Sequence, residues 1–333
     1  AVAAPYDVKA FDAVRIGSDS TKPDFQHADA EVDLEHGPFA RVTISVDLAT
    51  TCFPFSKWKD DPPPPGQNWP ADCDAFDRNF ELSFDDPDKD TDPPGLEVMR
   101  AITPFGGPEH QDVDVTDVAN ALAPGKHRLR VVIPTYSDAA GQVSGSNGGW
   151  NVTATVHVVP GTPPRRVLAV VPLFDGAQTT PASPKPIGFD VPAGTKHARI
   201  EYRVTGHGGA MGDGACIGPA EEFCDRLHTV FVDGAKLDEI YPWKLGCGSE
   251  CTLAHYDDGM GGGFDYCAEN PCGDPNSVTA PRANWCPGAL TPPFTWDAPA
   301  LDAPGHHTFS WTISNVADGG QWRISAAYFA FGD

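Results

Sequence analysis

Hydrophobic and polar residues alternate with a period of two in many parts of this chain. Between Phe39 and Leu48, for example, Val42, Ile44 and Val46 alternate with polar neighbours. That period is typical of a β-strand with one buried face. The only helical signal is a short stretch at 117–122. The segments that we predict as strands are 39–48, 79–84, 127–133, 151–159, 197–204, 228–232, 307–313 and 322–331.

Turn-forming residues separate these segments, and the chain contains 34 glycines and 34 prolines. The Pro-rich run at 61–66 and the Gly-rich run at 258–263 are two such turns. Many strands joined by long loops predict an all-β protein of antiparallel sandwiches, with jelly rolls as the favoured form. A Pro-rich segment at 159–166 predicts a boundary between domains 1–160 and 161–333, each of ordinary size.

The composition narrows the range of partners. The formal net charge is −23, from 46 acidic and 23 basic residues. A phosphate backbone or an anionic membrane would be repelled by such a surface, whereas neutral substrates such as sugars would not. We therefore expect no nucleic-acid partner and no membrane partner.

Nine cysteines in an acidic, Pro-rich chain indicate an oxidising compartment. The first residues, 1–5, look like the start of a mature chain after removal of a signal peptide. We expect a secreted or periplasmic protein of bacterial type. Because nine is an odd number, at least one thiol must be free, ligand-bound or paired with another chain.

The candidate chemistry lies in two acidic blocks beside cysteines, one in each half, at 73–78 and 221–226. Each block places a carboxylate, Asp77 or Glu222, close to an arginine and a cysteine. A carboxylate whose loop is held by a disulfide and whose charge is set by its neighbours suits hydrolytic acid/base chemistry. The alternative is that both are ordinary surface acids.

These blocks belong to a longer series that resembles the bacterial peptide:N-glycosidase F family, which are peptide-N-glycan amidases. The resemblance runs in order over nearly the whole chain, and three of its blocks contain cysteines. The blocks that carry it are 73–78, 100–105, 114–117, 161–163, 222–224, 226–229, 245–247 and 285–288.

The resemblance implies two eight-stranded jelly rolls packed side by side, with the active site in the cleft between them. The implied reaction is hydrolysis of the amide between N-acetylglucosamine and an asparagine side chain in N-glycoproteins or glycopeptides, by a monomer that needs no metal or cofactor. The implied disulfides are Cys52–Cys73, Cys216–Cys224 and Cys247–Cys286. Cys251, Cys267 and Cys272 lie in an insertion, and their partners stay open.

By the same resemblance, Asp77 is the principal acid/base and Glu222 the second essential carboxylate, which positions water or the first sugar. Arg78 and Arg282 match active-site arginines. They could hold Asp77 ionised and contact the substrate, or they could form structural ion pairs.

Three further side chains are candidate substrate contacts. Trp285 and Tyr136 suit stacking on the C–H face of a pyranose, although an aromatic residue beside a disulfide is often plain core. His207 lies in a glycine-flanked loop and is expected to line the cleft. His228, at the start of a strand, is expected to be structural.

One position departs from the family pattern. Pro134 stands where the family has a third active-site carboxylate, and proline provides neither charge nor hydrogen-bond donor. Asp138 is close in sequence but out of register. The sugar contact made by that third carboxylate is therefore in doubt, while Asp77 and Glu222 keep the enzyme assignment.

Three alternative functions compete with this interpretation. A glycan-binding or adhesion protein on the same scaffold would bind without cleaving. A copper monooxygenase on paired jelly rolls would need a His-x-His motif, which the eleven histidines do not contain. A zinc site from Cys247, Cys251, Cys267 and Cys272 fits by spacing, but disulfides are favoured outside the cytosol.

Overall fold

The computed structural model describes residues 3–18, 26–88, 93–135, 148–209 and 213–333. In this part of the chain the structure is almost entirely β. The strands are β1 Tyr6–Gly17, β2 His27–Asp33, β3 Phe39–Ala49, β4 Asn79–Phe84, β5 Leu96–Ile102, β6 Glu109–Asp114, β7 Lys126–Val132, β8 Gly149–Pro160, β9 Val167–Gln178, β10 Ile187–Val191, β11 His197–Gly208, β12 His228–Val232, β13 Ala235–Ile240, β14 Leu253–Asp257, β15 Gly263–Cys267, β16 Phe294–Asp297, β17 Gly305–Ile313 and β18 Gly320–Phe331. Two short helices are α1 Thr116–Ala121 and α2 Pro275–Thr279.

All eight predicted strand segments lie on strands, and the short helical signal at 117–122 lies on α1. The sequence pattern missed other strands where the alternation is interrupted. In β1, for instance, the register shifts between Lys9 and Phe11 and again between Phe11 and Val14. A shift of this kind moves the buried positions out of a strict period of two.

The strands form four antiparallel four-stranded sheets. Strands β1 to β8 make one pair of sheets, in the orders β1-β8-β3-β6 and β2-β7-β4-β5. Strands β9 to β18 make the second pair, β10-β17-β12-β13 and β16-β11-β18-β9, with β14 and β15 as a separate hairpin. Each pair encloses its own apolar core. The all-β prediction is confirmed, whereas the boundary between domains 1–160 and 161–333 stays a prediction.

Backbone and side-chain contacts lock the two halves together. β5 is extended by a segment of the second half, with Gly288 N donating to Ile102 O at 2.8 Å and Thr291 N donating to Arg100 O at 2.8 Å. Arg323 pairs with Glu81 at 2.7 Å across the same junction. These side chains are mostly buried, so the loops at the ends of β4, β5 and β11 keep a constant mutual position.

The described residues form four disulfides: Cys52–Cys73, Cys216–Cys224, Cys247–Cys286 and Cys251–Cys267. The first three are the pairs that the family resemblance implies. The last braces the β14–β15 hairpin, which leaves Cys272 as the unpaired thiol. Three of the four cysteines proposed for zinc are therefore oxidised, and the zinc alternative is wrong because a disulfide sulfur is not a thiolate ligand.

Within the described ranges, no helix has the length and apolar character needed to span a membrane.

Candidate active site

The loop that carries Asp77 is held at both ends. It leaves the Cys52–Cys73 disulfide and enters β4 at Asn79. Thr103, just after β5, binds the loop from the side: its Oγ1 accepts from Arg78 N at 2.8 Å and donates to Phe76 O at 3.1 Å. The backbone around Asp77 is thus tied to the neighbouring strand, and Asp77 itself stays partly exposed.

Asp74 anchors the arginine of the same loop. Its side chain is fully buried, and Arg78 Nε lies 3.2 Å from Asp74 Oδ2. Asp74 Oδ1 also accepts from Phe76 N at 3.1 Å. Burial outweighs these contacts and raises the pKa of Asp74 to about 6. Arg78 is therefore paired with Asp74, and it acts on Asp77 as a nearby positive charge.

Glu222 lies on a short 3₁₀ turn whose neighbour, Glu221, fixes the turn in place. Glu221 is fully buried, and both of its oxygens accept from Arg226 at 2.9 Å. Trp322 Nε1 and Ala317 N each donate a further hydrogen bond to it at 2.7 Å. A carboxylate with this many donors is a structural anchor, so Glu222 can face the cleft from a rigid base.

Arg282 connects Glu222 to α2. Its Nη1 donates to Glu222 Oε1 at 3.0 Å, and its Nη2 donates to Ser277 O at 2.7 Å. The guanidinium lies between the rings of Phe223 and Trp285, 4.8 and 4.5 Å from their centroids. Asp274 caps α2 and accepts from Ser277 N, which sets the position of that partner.

The side chain of Arg282 has no exposed surface. This burial and the pairing with Glu222 favour the ion-pair alternative for Arg282, and a direct substrate contact by Arg282 stays a prediction. Its charge acts through Glu222, which remains 22% exposed.

Asp77 and Glu222, one from each half, interact electrostatically. Burial and the Glu222 carboxylate together raise the pKa of Asp77 to about 7, and the charges of Arg282 and Arg78 only partly oppose them. Burial also raises the pKa of Glu222, against the opposing charge and hydrogen bond of Arg282. The arginines favour ionised Asp77, but desolvation and the second carboxylate outweigh them.

Trp285 and His207 form a stacked pair with ring centroids 5.4 Å apart. Trp285 is fully buried, and its Nε1 donates to Gly206 O at 2.8 Å. Trp285 thus packs as a core residue, and its stacking on a sugar stays a prediction. Glycine is needed at 206, because a Cβ there would lie 2.7 Å from the Cβ of Ala283.

His207 is partly exposed, and its Nε2 has no hydrogen-bond partner within the described residues. Burial and the charges of Arg100, Arg282 and Arg323 lower the pKa of His207 to about 3. The imidazole is therefore neutral at physiological pH. His228 is fully buried against Tyr202 Oη at 3.0 Å, as expected for a structural residue.

Tyr136 and Asp138 lie outside the described residues. Pro134 is exposed and follows β7. Because Glu81 pairs with Val132, continuing this register places Pro134 opposite Asn79, two residues from Asp77. The role of Pro134 stays a prediction, at the sheet end where Asp77 lies.

The sequence did not single out four residues that position the site: Asp74, Thr103, Glu221 and Ser277. Asp74, Thr103 and Glu221 stand inside the blocks or beside them, and their type was visible. Their partners were not, because those partners come from other strands. Glu221 and Glu222 are adjacent and alike, and only the fold buries the first and leaves the second partly exposed.

A separate cavity of about 690 Å³ lies between the halves, beside β5 and β11, and does not include Asp77 or Glu222. Its Arg199 is paired with Asp117 at 3.2 Å and with Glu201 at 3.0 Å. Because these charged side chains are paired with one another, we assign no catalytic role to this cavity.

Comparison with known proteins supports the family resemblance. Residues 177–328 match the model of the family "Peptide-N-glycosidase F, C terminal". Peptide-N(4)-(N-acetyl-beta-D-glucosaminyl)asparagine amidase F of Elizabethkingia miricola is 25% identical over 236 residues, which cover 66% of this chain and 57% of the relative. The family model and the relative both point to the peptide-N-glycosidase F family. The match spans little more than half the length of that curated relative.

Two solved structures show the same fold. PNGase F of Flavobacterium meningosepticum, described as a glycosylasparaginase, superimposes with a TM-score of 0.67 at 18% identity over 99% of this chain and 96% of that chain. PNGF-II superimposes with a TM-score of 0.70 at 17% identity over 98% of this chain and 65% of that chain. The predicted double jelly-roll fold of the peptide-N-glycosidase F family is thereby confirmed.

Proposed function

We propose that this protein hydrolyses the amide bond between N-acetylglucosamine and an asparagine side chain in N-glycoproteins or glycopeptides. The observation that carries the proposal is the electrostatic interaction between Asp77 of the first half and Glu222 of the second, two carboxylates with unequal surroundings. Similarity to the peptide-N-glycosidase F family supports it, because the name of a similar protein states this linkage.

The two carboxylates differ in proton affinity. Arg282 opposes the protonation of Glu222 through a direct hydrogen bond, whereas Asp77 receives no such contact from Arg282 and has a pKa of about 7. As the pH falls, the first proton therefore goes to Asp77, and the pair shares one proton near neutrality. An acid/base whose pKa lies near the working pH is the most effective one.

The reaction then follows from these proton states. Glu222, ionised, accepts a hydrogen bond from water or from the first sugar and so orients the substrate. Water adds to the amide carbonyl carbon, and the C–N bond of the resulting tetrahedral species breaks. Asp77 moves the proton that the departing nitrogen needs. The products are a peptide with aspartate in place of asparagine and a glycosylamine, which loses ammonia in water.

The remaining groups prepare the site. Asp74 and Thr103 fix the Asp77 loop, and Glu221 fixes the Glu222 turn. His207, neutral, has a buried Nε2 without a hydrogen-bond partner in the described part of the chain. No step of this chemistry uses a metal or cofactor. Four disulfides favour an extracellular or periplasmic location for the enzyme, which we propose acts as a monomer.

Mass spectrometry of a denatured N-glycoprotein after incubation with the protein tests the proposal. Amide cleavage leaves aspartate at the glycosylation site, about one mass unit above asparagine. Cleavage within the glycan core would leave one sugar attached, and a glycan-binding module would leave the substrate unchanged. Either of these last two results contradicts the proposal.

A further inference from the structure

Backbone segments lie side by side around the Glu222–Arg282 pair. On one side, Ile217 N donates to Phe223 O at 2.9 Å, so the start of the Cys216–Cys224 loop runs alongside the turn at its end that carries Glu222. That turn continues the row, because Ala283 N donates to Glu222 O at 2.8 Å. Ile217 is thus the next segment outward from Glu222.

On the other side, Arg282 and Lys244 exchange two backbone hydrogen bonds of 2.8 and 3.1 Å. Leu245 follows Lys244 directly. Ile217 and Leu245 therefore lie on opposite sides of the Glu222–Arg282 pair. The row consists of four segments, those of Ile217, Glu222, Arg282 and Leu245, with three gaps between them.

Both side chains are large, apolar and open to solvent, Ile217 with 64% and Leu245 with 88% of its surface exposed. Single exposed apolar residues are common on protein surfaces and need no explanation. These two, however, flank the same ion pair, and Tyr241 on the Leu245 loop is 61% exposed as well. Together they are half of the six large, strongly exposed hydrophobic residues in the described ranges.

Disulfides stiffen both loops. Ile217 is next to Cys216 of the Cys216–Cys224 bridge, and Leu245 is two residues before Cys247 of the Cys247–Cys286 bridge. A loop held by a disulfide has little mobility, so it loses little conformational entropy when a ligand covers its apolar side chain.

We infer that Ile217 and Leu245 bind the polypeptide of the substrate. They contact apolar side chains of the peptide on either side of its glycosylated asparagine. This inference rests on the proposed function and adds a preference for peptide sequence. Aliphatic side chains offer no hydrogen bond to a sugar, whereas they bury apolar peptide side chains favourably. The chain as a whole has a formal net charge of −23, which disfavours an acidic peptide.

The spacing gives the positions. Hydrogen-bonded segments lie about 4.8 Å apart, so three gaps span about 14 Å. An extended peptide advances about 3.3 Å per residue, so about four residues cover that distance. The two apolar residues should therefore reach side chains about two positions before and two positions after the asparagine.

Two synthetic glycopeptides with the same glycan test the inference, one with leucine at both flanking positions and one with serine. Wild-type protein should have a kcat/KM about tenfold higher for the leucine peptide. The double variant Ile217→Ser/Leu245→Ser should bring this ratio close to one. Met260→Ser, at a 91% exposed residue between β14 and β15, is the matched control and should keep the ratio.

Equal rates for the two peptides in wild type, an unchanged ratio in the double variant, or an equal loss in Met260→Ser would each overturn the inference. Thermal melts confirm that the variants are folded. Fluorescence anisotropy of the two labelled glycopeptides provides a second readout that needs no cleavage. Selective binding without hydrolysis rejects the proposed function alone, and hydrolysis without peptide selectivity rejects the inference alone.

Discussion

Arg282 Nη1 lies 3.0 Å from Glu222 Oε1, and this contact makes the two carboxylates of the cleft unequal. The guanidinium is fully buried, so its charge is screened little by water. It favours the ionised form of Glu222, and Glu222 in turn favours the protonated form of Asp77. The ion pair in the second half thereby controls the protonation of a residue in the first half.

Asp77→Asn should abolish deglycosylation while the protein stays folded, because an amide cannot take up or release the proton. A loss of about a hundredfold or more in kcat/KM is expected. A variant that retains more than about a tenth of wild-type activity would reject Asp77 as principal acid/base.

The same variant should be more stable than wild type in alkaline buffer. Asp77 has a pKa of about 7 in the folded protein, well above that of an unfolded aspartate, so the folded state binds the proton more tightly. Its stabilising effect is complete in acid and is lost as the pH rises through 7. The amide of the Asp77→Asn variant does not titrate and escapes this loss, and at pH 8.5 we expect a gain of about 1 kcal/mol or more. A lower Tm than wild type at that pH contradicts the burial of Asp77.

Glu222→Gln and Arg282→Met should move the pKa of Asp77 in opposite directions. Loss of the Glu222 charge lowers the pKa of Asp77, and loss of the Arg282 charge raises it. The pH dependence of residual kcat/KM, or carboxyl ¹³C shifts in the NMR spectrum, reports the change. Shifts in the same direction would mean that the two carboxylates do not interact.

Arg282→Met should also destabilise the fold, by about 3 kcal/mol, because Glu222 and Ser277 lose a buried partner. Arg282→Lys keeps the charge but cannot reach both partners, so it should recover part of the stability and of the pH profile. Urea unfolding measures the first effect. Equal stability of the Met and Lys variants would show that charge is unimportant at this position.

Removal of the Cys216–Cys224 disulfide should cost activity before it costs the fold. Cys216→Ser/Cys224→Ser frees the loop that contains the Glu222 turn, while each sandwich keeps its own core. We expect a loss of about tenfold in activity with unchanged near-UV circular dichroism. Cys251→Ser/Cys267→Ser, in the separate hairpin, is the control.

Mild reduction of the disulfides should also lower activity before the fold is lost. It loosens the loops next to Asp77 and around Glu222, which the Cys52–Cys73 and Cys216–Cys224 bridges hold. The sulfurs of Cys52, Cys73 and Cys272 lie within 4.8 Å of one another, so the experiment is best done in Cys272→Ser, where exchange with the third sulfur is impossible. Simultaneous loss of activity and of the near-UV circular dichroism signal would contradict the prediction that the loops are affected before the fold.

Pro134→Glu should change substrate affinity or the preference for core-fucosylated glycans and leave the dependence on Asp77 intact. Pro134 is exposed at the sheet end that carries Asp77, so a carboxylate there could contact the first sugar, at about 1.5–3 kcal/mol for a charged hydrogen bond. A thermal melt must accompany the assay, because the substitution could disturb the strand. A stable variant with unaltered kinetics on both glycan types would show that this position does not face the substrate.

The sequence alone determined the all-β architecture, the strands with a strict alternation and the two blocks that contain Asp77 and Glu222. Each of these depends on local chemistry, since a period of two and a cluster of turn residues act over a few neighbouring positions. The family resemblance added three disulfide pairs that the structure contains.

Tertiary structure decided which of these residues meet and which are covered. Glu221 and Glu222 are equivalent in sequence, and only the packing against Arg226 and Trp322 makes the first an anchor. By sequence, Trp285 suited stacking on a sugar, whereas in the fold it is buried in a stack with His207. The raised pKa of Asp77 has the same origin, because desolvation and the charge of Glu222 depend on the approach of two halves that are far apart along the chain. Burial and long-range charge are properties of the assembled fold, and no local pattern encodes them.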